Sequence, residues 1–234
     1  MRILLIRHAD PYYPDDALTP AGHAEARALA GHLAGVGLNA LYASPRGRAR
    51  ITAQYTAERI GLPVTIEPWT GELDGLRIKD YGRAIWDIDG ATLRSPELLA
   101  DLNHWQAVPP LDNPTLQRHM QTIQAGSDDF LARLGYTRED HRYRVTAGPA
   151  QRSATVALFA HYGFGLAWLS HLLGIPLPLL WSGVYLHPSS VTTILFDERT
   201  PGCAVPRLTG MGDISHLHKA GLAPSYAGLI ANHD

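Results

Sequence analysis

The sequence predicts an α/β fold with a largely parallel sheet and crossover helices. Three observations carry this. Apolar runs of strand length alternate with amphipathic stretches of helix length along the chain. Two strongly apolar runs, Arg2–Ile6 and Thr155–Ala160, each lead to a histidine and then to a helix, one near each end of the chain. Helix-opening pairs (Thr19-Pro20, Ser44-Pro45) and closing glycines (Gly35, Gly61, Gly174) stand where the alternation requires them.

Taken in order, Arg2 to Ile6 is short, branched and bounded by polar residues, the pattern of a buried strand. It delivers Arg7 and His8 to its carboxyl end, where open α/β sheets collect ligands. The loop from Asp10 to Leu18 carries Pro11, Pro14 and two tyrosines. Thr19 then caps a helix that begins with Pro20. Leu29, Leu33 and alanines at helical spacing supply its apolar face, and Gly35 and Gly37 end it. Leu38 to Ala43 is a second strand. A helix from Arg46 to Ile60 follows and stops at Gly61. Its first turn carries Arg46, Arg48 and Arg50. Cations at a helix N-terminus are misplaced unless an anion sits between them. The cluster therefore marks an anion site, with at least one of the three simply solvated.

Val64 to Glu67 is a short third strand. Residues 70–115 lose the alternation and are rich in Gly, Pro, Asp and Trp. They form a long excursion with short helices that covers a site. Leu116 to Leu134 is helical and ends at Gly135. Tyr143 to Val145 is an edge strand. After Thr155–Ala160 come His161, a turn at Tyr162-Gly163, and an apolar helix from Phe164 to Leu173 closed by Gly174 and Pro176. Val191 to Asp197 is a further strand, and the tail after Gly210 is irregular.

Composition narrows the function. A chain of 234 residues buries a core without staples. A formal charge of −2 gives no basic surface for nucleic acid or anionic lipid. The lone Cys203 excludes an intramolecular disulfide and fits a reducing cytosol. There is no signal-peptide pattern, and no apolar run reaches the ~18 residues needed to span a bilayer. A cytoplasmic protein is expected. Twelve histidines invite a metal site. No His-Glu-x-x-His run or Cys/His pair of ligand spacing is present, however, and His216-Leu217-His218 alone does not make one.

Two histidines and two arginines at strand ends and helix starts can meet in one pocket. Such a pocket suits a phosphoryl group, which arginine forks bind bidentately. Phosphoryl transfer rests mostly on positioning and charge stabilisation. A neutral imidazole can attack phosphorus and form a covalent intermediate, and neighbouring positive groups keep it unprotonated. The leaving oxygen needs a proton, so a carboxylic acid must stand opposite.

Four blocks make a resemblance specific. Leu5-Ile6-Arg7-His8-Ala9 resembles the opening signature of the histidine phosphatase superfamily, in its phosphoglycerate mutase-like branch. Leu18-Thr19-Pro20-Ala21-Gly22, Ser44-Pro45-Arg46-Gly47-Arg48-Ala49, and Phe159-Ala160-His161-Tyr162-Gly163 with Leu172-Leu173-Gly174-Ile175-Pro176 resemble its later blocks, in order. The resemblance implies a three-layer α/β/α domain over residues 1–234, with the 70–115 excursion inserted over the site. It implies that His8 is the nucleophile and that Arg7, Arg48 and His161 hold the phosphoryl oxygens. Arg48 is preferred to its neighbours by its place in the block. The family places its acid after the third strand. Trp69-Thr70-Gly71-Glu72, with Trp86-Asp87 beyond, resembles a bacterial phosphatase-like subgroup, which makes Glu72 the choice and Asp74 the next. The mutase branch has a fuller Glu-Arg-His-Tyr-Gly run there, which this chain lacks.

Asp10 and Ser190 are secondary candidates, as a loop carboxylate beside the pocket and a hydroxyl leading into a strand. His216 and His218 are expected to support structure. The implied activity is a metal-independent phosphomonoesterase that needs no cofactor. Its partners are a small phosphate ester and inorganic phosphate, with a homodimer left open. A cofactor-dependent mutase and a weakly active binding module of the same fold are the alternatives; the intact Arg7, His8, Arg48 and His161 set argues against the second.

Overall fold

The computed structural model describes residues 1–77 and 84–229. Its elements are β1 (Arg2–Arg7), α1 (Pro20–Leu33), β2 (Ala40–Ala43), α2 (Gly47–Ile60), β3 (Val64–Ile66) and α3 (Pro114–Arg133). These are followed by β4 (Tyr136–Glu139), β5 (Arg142–Val145), β6 (Thr155–Ala160), α4 (Tyr162–Leu173), α5 (Leu177–Gly183), β7 (Val191–Thr200), β8 (Cys203–Asp213) and α6 (Ser215–Lys219). A two-stranded ribbon of Pro11–Tyr12 and Ala17–Leu18 lies in the first loop. The described parts of 70–115 form short helical turns; residues 78–83 of that excursion lie outside the described residues.

The eight strands make one sheet in the order β3-β2-β6-β1-β7-β8-β5-β4. The first four run parallel, and β7, β8, β5 and β4 join antiparallel. Side-chain alternation in β1 and β6 splits the core in two. Leu4, Ile6, Ala157 and Phe159 meet Leu29 and Leu33 of α1 and Ala53 and Ala57 of α2. Ile3, Leu5, Val156 and Leu158 face the other way, toward Met120 and Phe130 of α3, Trp168 of α4 and Leu180 of α5. Helices cover both faces, which gives three layers. The excursion docks on the second core through Leu73, Ile85, Leu98, Trp105 and Leu111. No helix among the described residues is long and apolar enough to cross a membrane.

The start of α1 is as expected: Thr19 accepts from Gly22 N at 3.0 Å ahead of Pro20. The start of α2 is not set by the Ser44-Pro45 pair: its N-cap is Arg46, with no side-chain cap, and Ser44 Oγ lies 2.7 Å from His161 Nε2. Four more expectations are corrected. Tyr143 to Val145 is not an edge: β5 pairs with β8 on one side, and β4 forms the edge. Tyr162 and Gly163 are the first turn of α4 rather than a turn before it. The third strand stops at Ile66, because Glu67 turns inward to pair with Arg133 at 2.7 Å. The tail is not irregular after Gly210: β8 runs on to Asp213 and α6 follows. Register shifts at Leu208/Gly210 and Gly210/Asp213 break the period-two pattern that would have shown it.

The excursion is pinned at its start by Trp69. Its indole donates to Glu67 Oε2 at 2.9 Å and lies among Phe130, Phe164 and Trp168, with ring centroids 5.5–5.8 Å away. Gly126 of α3 makes room for it, since a Cβ there would stand 2.3 Å from Trp69 Cγ. Gly126→Ala should therefore cost about 1–3 kcal/mol through overpacking, a loss that chemical denaturation will show as a lower midpoint. An unchanged midpoint would mean that Trp69 moves aside freely.

Candidate active site

Three parallel strands end side by side, and each passes a polar side chain to the same edge. His8 N donates to Ala160 O at 2.9 Å and Ser44 N to Phe159 O at 2.9 Å, so His8, His161 and Ser44 follow the last ladder rungs of β1, β6 and β2. The His8 and His161 ring centroids are 5.2 Å apart. Both residues are buried.

The hydrogen bonds assign the ring protons. His8 Nδ1 lies 2.8 Å from Ala9 O. A carbonyl only accepts, so Nδ1 carries the hydrogen and Nε2 keeps a lone pair. Ser44 Oγ lies 2.7 Å from His161 Nε2 and accepts from Arg46 N at 3.3 Å. With the hydroxyl proton on that contact, Nε2 accepts and His161 Nδ1 carries the ring hydrogen. That atom has no acceptor among the described residues. Burial, with Arg7 and Arg48 nearby, holds the His8 imidazole well below its ordinary range. Burial, His8 and the arginines do the same to His161.

Arg7 and Arg48 are both buried. Arg7 donates through Nη1 to Leu186 O at 2.5 Å and through Nη2 to Ala227 O at 2.7 Å. Arg48 Nη1 pairs with Asp16 Oδ1 at 2.5 Å, and Asp16 Oδ2 accepts from Gly47 N at 2.6 Å. Asp16 is thus one built-in anion at the arginine-rich start of α2, pairing with Arg48. Its φ of 49° holds it in the left-handed region so that one carboxylate reaches both groups. The Nε atoms of Arg7 and Arg48 remain without partners among the described residues.

Glu72 comes from the start of the excursion. Its Oε1 accepts from Phe164 N at 2.8 Å and Leu73 N at 3.1 Å, and its Oε2 from Gly163 N at 3.2 Å. A Cβ on Gly163 would lie 2.9 Å from Glu72 Oε1 and 2.7 Å from the Trp86 ring, so glycine permits this docking. Burial raises the Glu72 carboxyl, against the three N–H bonds and Arg48, which lower it.

A cavity of about 490 Å³ has Arg7, His8, Arg48, Glu72 and Asp74 in its walls, along with Tyr13, Trp86 and Tyr162. It joins a lone-pair nitrogen, two guanidinium groups and a carboxyl of raised proton affinity. That combination can bind an anion, accept a covalent bond at nitrogen and deliver a proton. His161 is not one of the residues lining the cavity; its ring centroid lies 5.2 Å from that of His8. Asp74 is exposed and ion-paired with Arg46. Arg50 is exposed. Asp10 is off the wall: it ties Thr19 Oγ1 at 2.6 Å to Ser225 of the tail. Ser190 is also off the wall, and its carbonyl accepts from Arg7 N at 3.2 Å. Among the described residues, no group of three or more His, Cys, Asp or Glu is placed to hold a metal ion.

The family model of the histidine phosphatase superfamily (branch 1) matches residues 3–207. The chain belongs to the histidine phosphatase superfamily. It is an enzyme of the phosphatase type within that superfamily. No curated protein matches it in sequence. Similar solved structures include an Entamoeba histolytica phosphoserine phosphatase variant with bound phosphoserine (TM-score 0.63, 19% identity, covering 92% of this chain and 98% of that one). A mycobacterial glucosyl-3-phosphoglycerate phosphatase has TM-score 0.61 at 20% identity, covering 90% and 98%. Bacillus stearothermophilus YhfR has TM-score 0.61 at 22%, covering 92% and 98%. At these identities the likeness is one of fold.

Against that superfamily pattern, sequence reasoning missed Asp16, the tail carbonyl of Ala227, and a clamp at Ser189. Ser189 N donates to His8 O at 3.1 Å, and its Oγ is 3.0 Å from Nε2 of buried His216. Nothing local in the sequence pairs these residues. Glu25 was missed too. It is buried in α1, accepts from Asp10 N at 2.9 Å, and is pushed up to about 7, by burial first. A carboxyl raised from 4.5 to about 7 stays protonated in the fold while the unfolded chain ionises. Its contribution is full below 4.5 and is lost as pH rises to about 7. Glu25→Gln should therefore gain melting temperature over wild type as pH rises through that window, then hold a constant difference above it. A difference that is flat across the window would show that Glu25 is not protonated in the fold.

Proposed function

We propose that this protein is a metal-independent phosphomonoesterase that works through a phosphohistidine on His8, on a small phosphate ester. The observation that carries it is the His8 imidazole, with Nδ1 tied to Ala9 O and Nε2 left as a lone pair beside two arginines. His8 Nε2 attacks phosphorus, and the bond from phosphorus to the ester oxygen breaks. Glu72 gives its proton to that oxygen. Water then attacks phosphorus, the bond from phosphorus to His8 Nε2 breaks and its electron pair returns to the imidazole, Glu72 takes a proton from the water, and inorganic phosphate leaves. Arg7 and Arg48, with their unpartnered Nε atoms, hold the phosphoryl oxygens, and the His161 Nδ1 hydrogen adds a third donor beside the nucleophile. Fixed positive groups take the part that a metal would otherwise play. The described parts of residues 70–115 are the segment that covers the substrate within a single domain.

Wild type should hydrolyse an aryl phosphate undiminished in excess EDTA, and His8→Ala should retain under a tenth of that rate while remaining folded. Acid-quenched wild type should carry an acid-labile, base-stable phosphate. A base-labile label, or activity restored only by added metal, would reject the mechanism.

Glu72→Gln separates the acid role from binding. Alkyl alkoxides need their proton in the transition state, and nitrophenolate does not. General acid catalysis is typically worth ~10²–10⁴-fold, so kcat/KM should fall by about that factor for an alkyl phosphate and far less for nitrophenyl phosphate. Equal losses on both would remove Glu72 from the role, and a selective loss in Asp74→Asn would transfer it to Asp74.

A further inference from the structure

We propose that Ser225 is a positioning residue for Arg7. Through Asp10 and Ala227 it holds the tail in the turn that presents a carbonyl to the guanidinium, and so sets the group that grips the phosphoryl oxygens. This rests on the phosphatase reading above, in which Arg7 holds those oxygens.

Arg7 is braced from outside its own strand. Its Nη1 donates to Leu186 O at 2.5 Å and its Nη2 to Ala227 O at 2.7 Å. A guanidinium is a rigid planar fork, so two carbonyls on two of its nitrogens fix its plane. Its Nε stays without a partner among the described residues. The two carbonyls differ in how they are held. Leu186 is buried in the second core. Ala227 lies in residues 221–229, none of which is buried. That stretch is held by polar contacts rather than by a packed apolar side chain, and segments of this kind open locally at low free energy.

The polar contacts converge on one hydroxyl. Ser225 Oγ donates to Asp10 Oδ1 and accepts from Ala227 N at 3.2 Å. One oxygen therefore ties the tail to the loop after β1 and closes the turn that carries Ala227 O. That carbonyl then receives Arg7 Nη2 together with Tyr185 Oη, the latter at 3.0 Å. The tail goes on to the cavity wall at Gly228, where a Cβ would stand 3.7 Å from Arg7 Nη2. On its other side the tail meets His187, whose Nδ1 donates to Ser225 O at 3.0 Å.

Asp10 is a fixed post for this tie. Its carbonyl accepts from Thr19 N at 3.1 Å, its N donates to Glu25 Oε2 at 2.9 Å, and its Oδ2 accepts from Thr19 Oγ1 at 2.6 Å. Gly22 of α1 permits the approach, since a Cβ there would collide with Asp10 O. The carboxylate is thus fastened to α1 through one oxygen and fastens the tail through the other.

The test changes Ser225, because a change at Asp10 would also disturb the start of α1. In Ser225→Ala the inhibition constant of inorganic phosphate should rise, and kcat/KM on an aryl phosphate should fall, each by about tenfold, the scale of one hydrogen bond to a charged group. Ser225→Thr keeps the hydroxyl and should restore most of both. In an Arg7→Ala background, Ser225→Ala should cost less than about twofold, because a residue that acts through Arg7 has nothing left to position. An unchanged phosphate constant in Ser225→Ala, a Ser225→Thr variant no better than Ser225→Ala, or a full further loss in the Arg7→Ala background would overturn the proposal. Should Arg7→Ala not fold, the phosphate constant and the threonine rescue decide it. If wild type takes an acid-labile label and hydrolyses the ester, and Ser225→Ala matches it in every respect, the role of Ser225 falls and the phosphatase reading stands. If wild type takes no label, hydrolyses no ester and binds no phosphate, both fall.

Discussion

The site is governed by the placing of two imidazoles and two guanidinium groups within one buried region. Guanidinium groups stay charged at any working pH, and a buried charge left unpaired is strongly destabilising. The fold answers with specific partners. Leu186 and Ala227 carbonyls hold Arg7, and Asp16 holds Arg48. The imidazoles respond differently, because they can give up their protons. Burial and the nearby cations keep both neutral. Neutrality is what the nucleophile proposed above needs, so the electrostatic cost of the site and the reactivity proposed for it have one cause.

Glu72 and Asp74 show how environment divides two nearby carboxylates. Asp74 is exposed and shares its charge with Arg46. Glu72 accepts three backbone N–H bonds, two of them at the start of α4. Those bonds and Arg48 favour the ionised form, yet burial outweighs them and the carboxyl is raised. A group in that balance is held in place by the same N–H donors in either protonation state. That balance suits it to the proton transfers of the double displacement proposed above.

What the sequence makes legible is what is local. The period-two and helical patterns expose β1, α1, α2 and β6, and the block order locates His8, Arg48 and His161. The choice of Arg48 over its neighbours has a helical reason. Arg46 precedes the first helical residue and turns to Asp74, and Arg50, two residues beyond Arg48, points to solvent. What stays hidden is long-range or irregular. Asp16 meets Arg48 across 32 positions and Ala227 meets Arg7 across 220, with no motif joining either pair. Strand β8 hides behind Pro206, its glycines and its register shifts.

The change from parallel to antiparallel strands has a consequence at the site. In the parallel half, β2, β6 and β1 all finish at one edge and supply Ser44, His161 and His8. Strand β7 runs against β1, with Val191 opposite Ile6, so it begins at that same edge. The residues just before it, Ser189 and Ser190, therefore reach the backbone of Arg7 and His8. Strand β8 runs against β7, with Asp213 opposite Val191, so it finishes there too. The chain beyond β8 then emerges beside the site, which is why a carbonyl as remote as Ala227 can hold Arg7. A sheet of parallel strands alone would bring only strand ends to this edge. Reversing β7 and β8 adds a strand start and the tail, and these supply backbone groups that fix the buried cation.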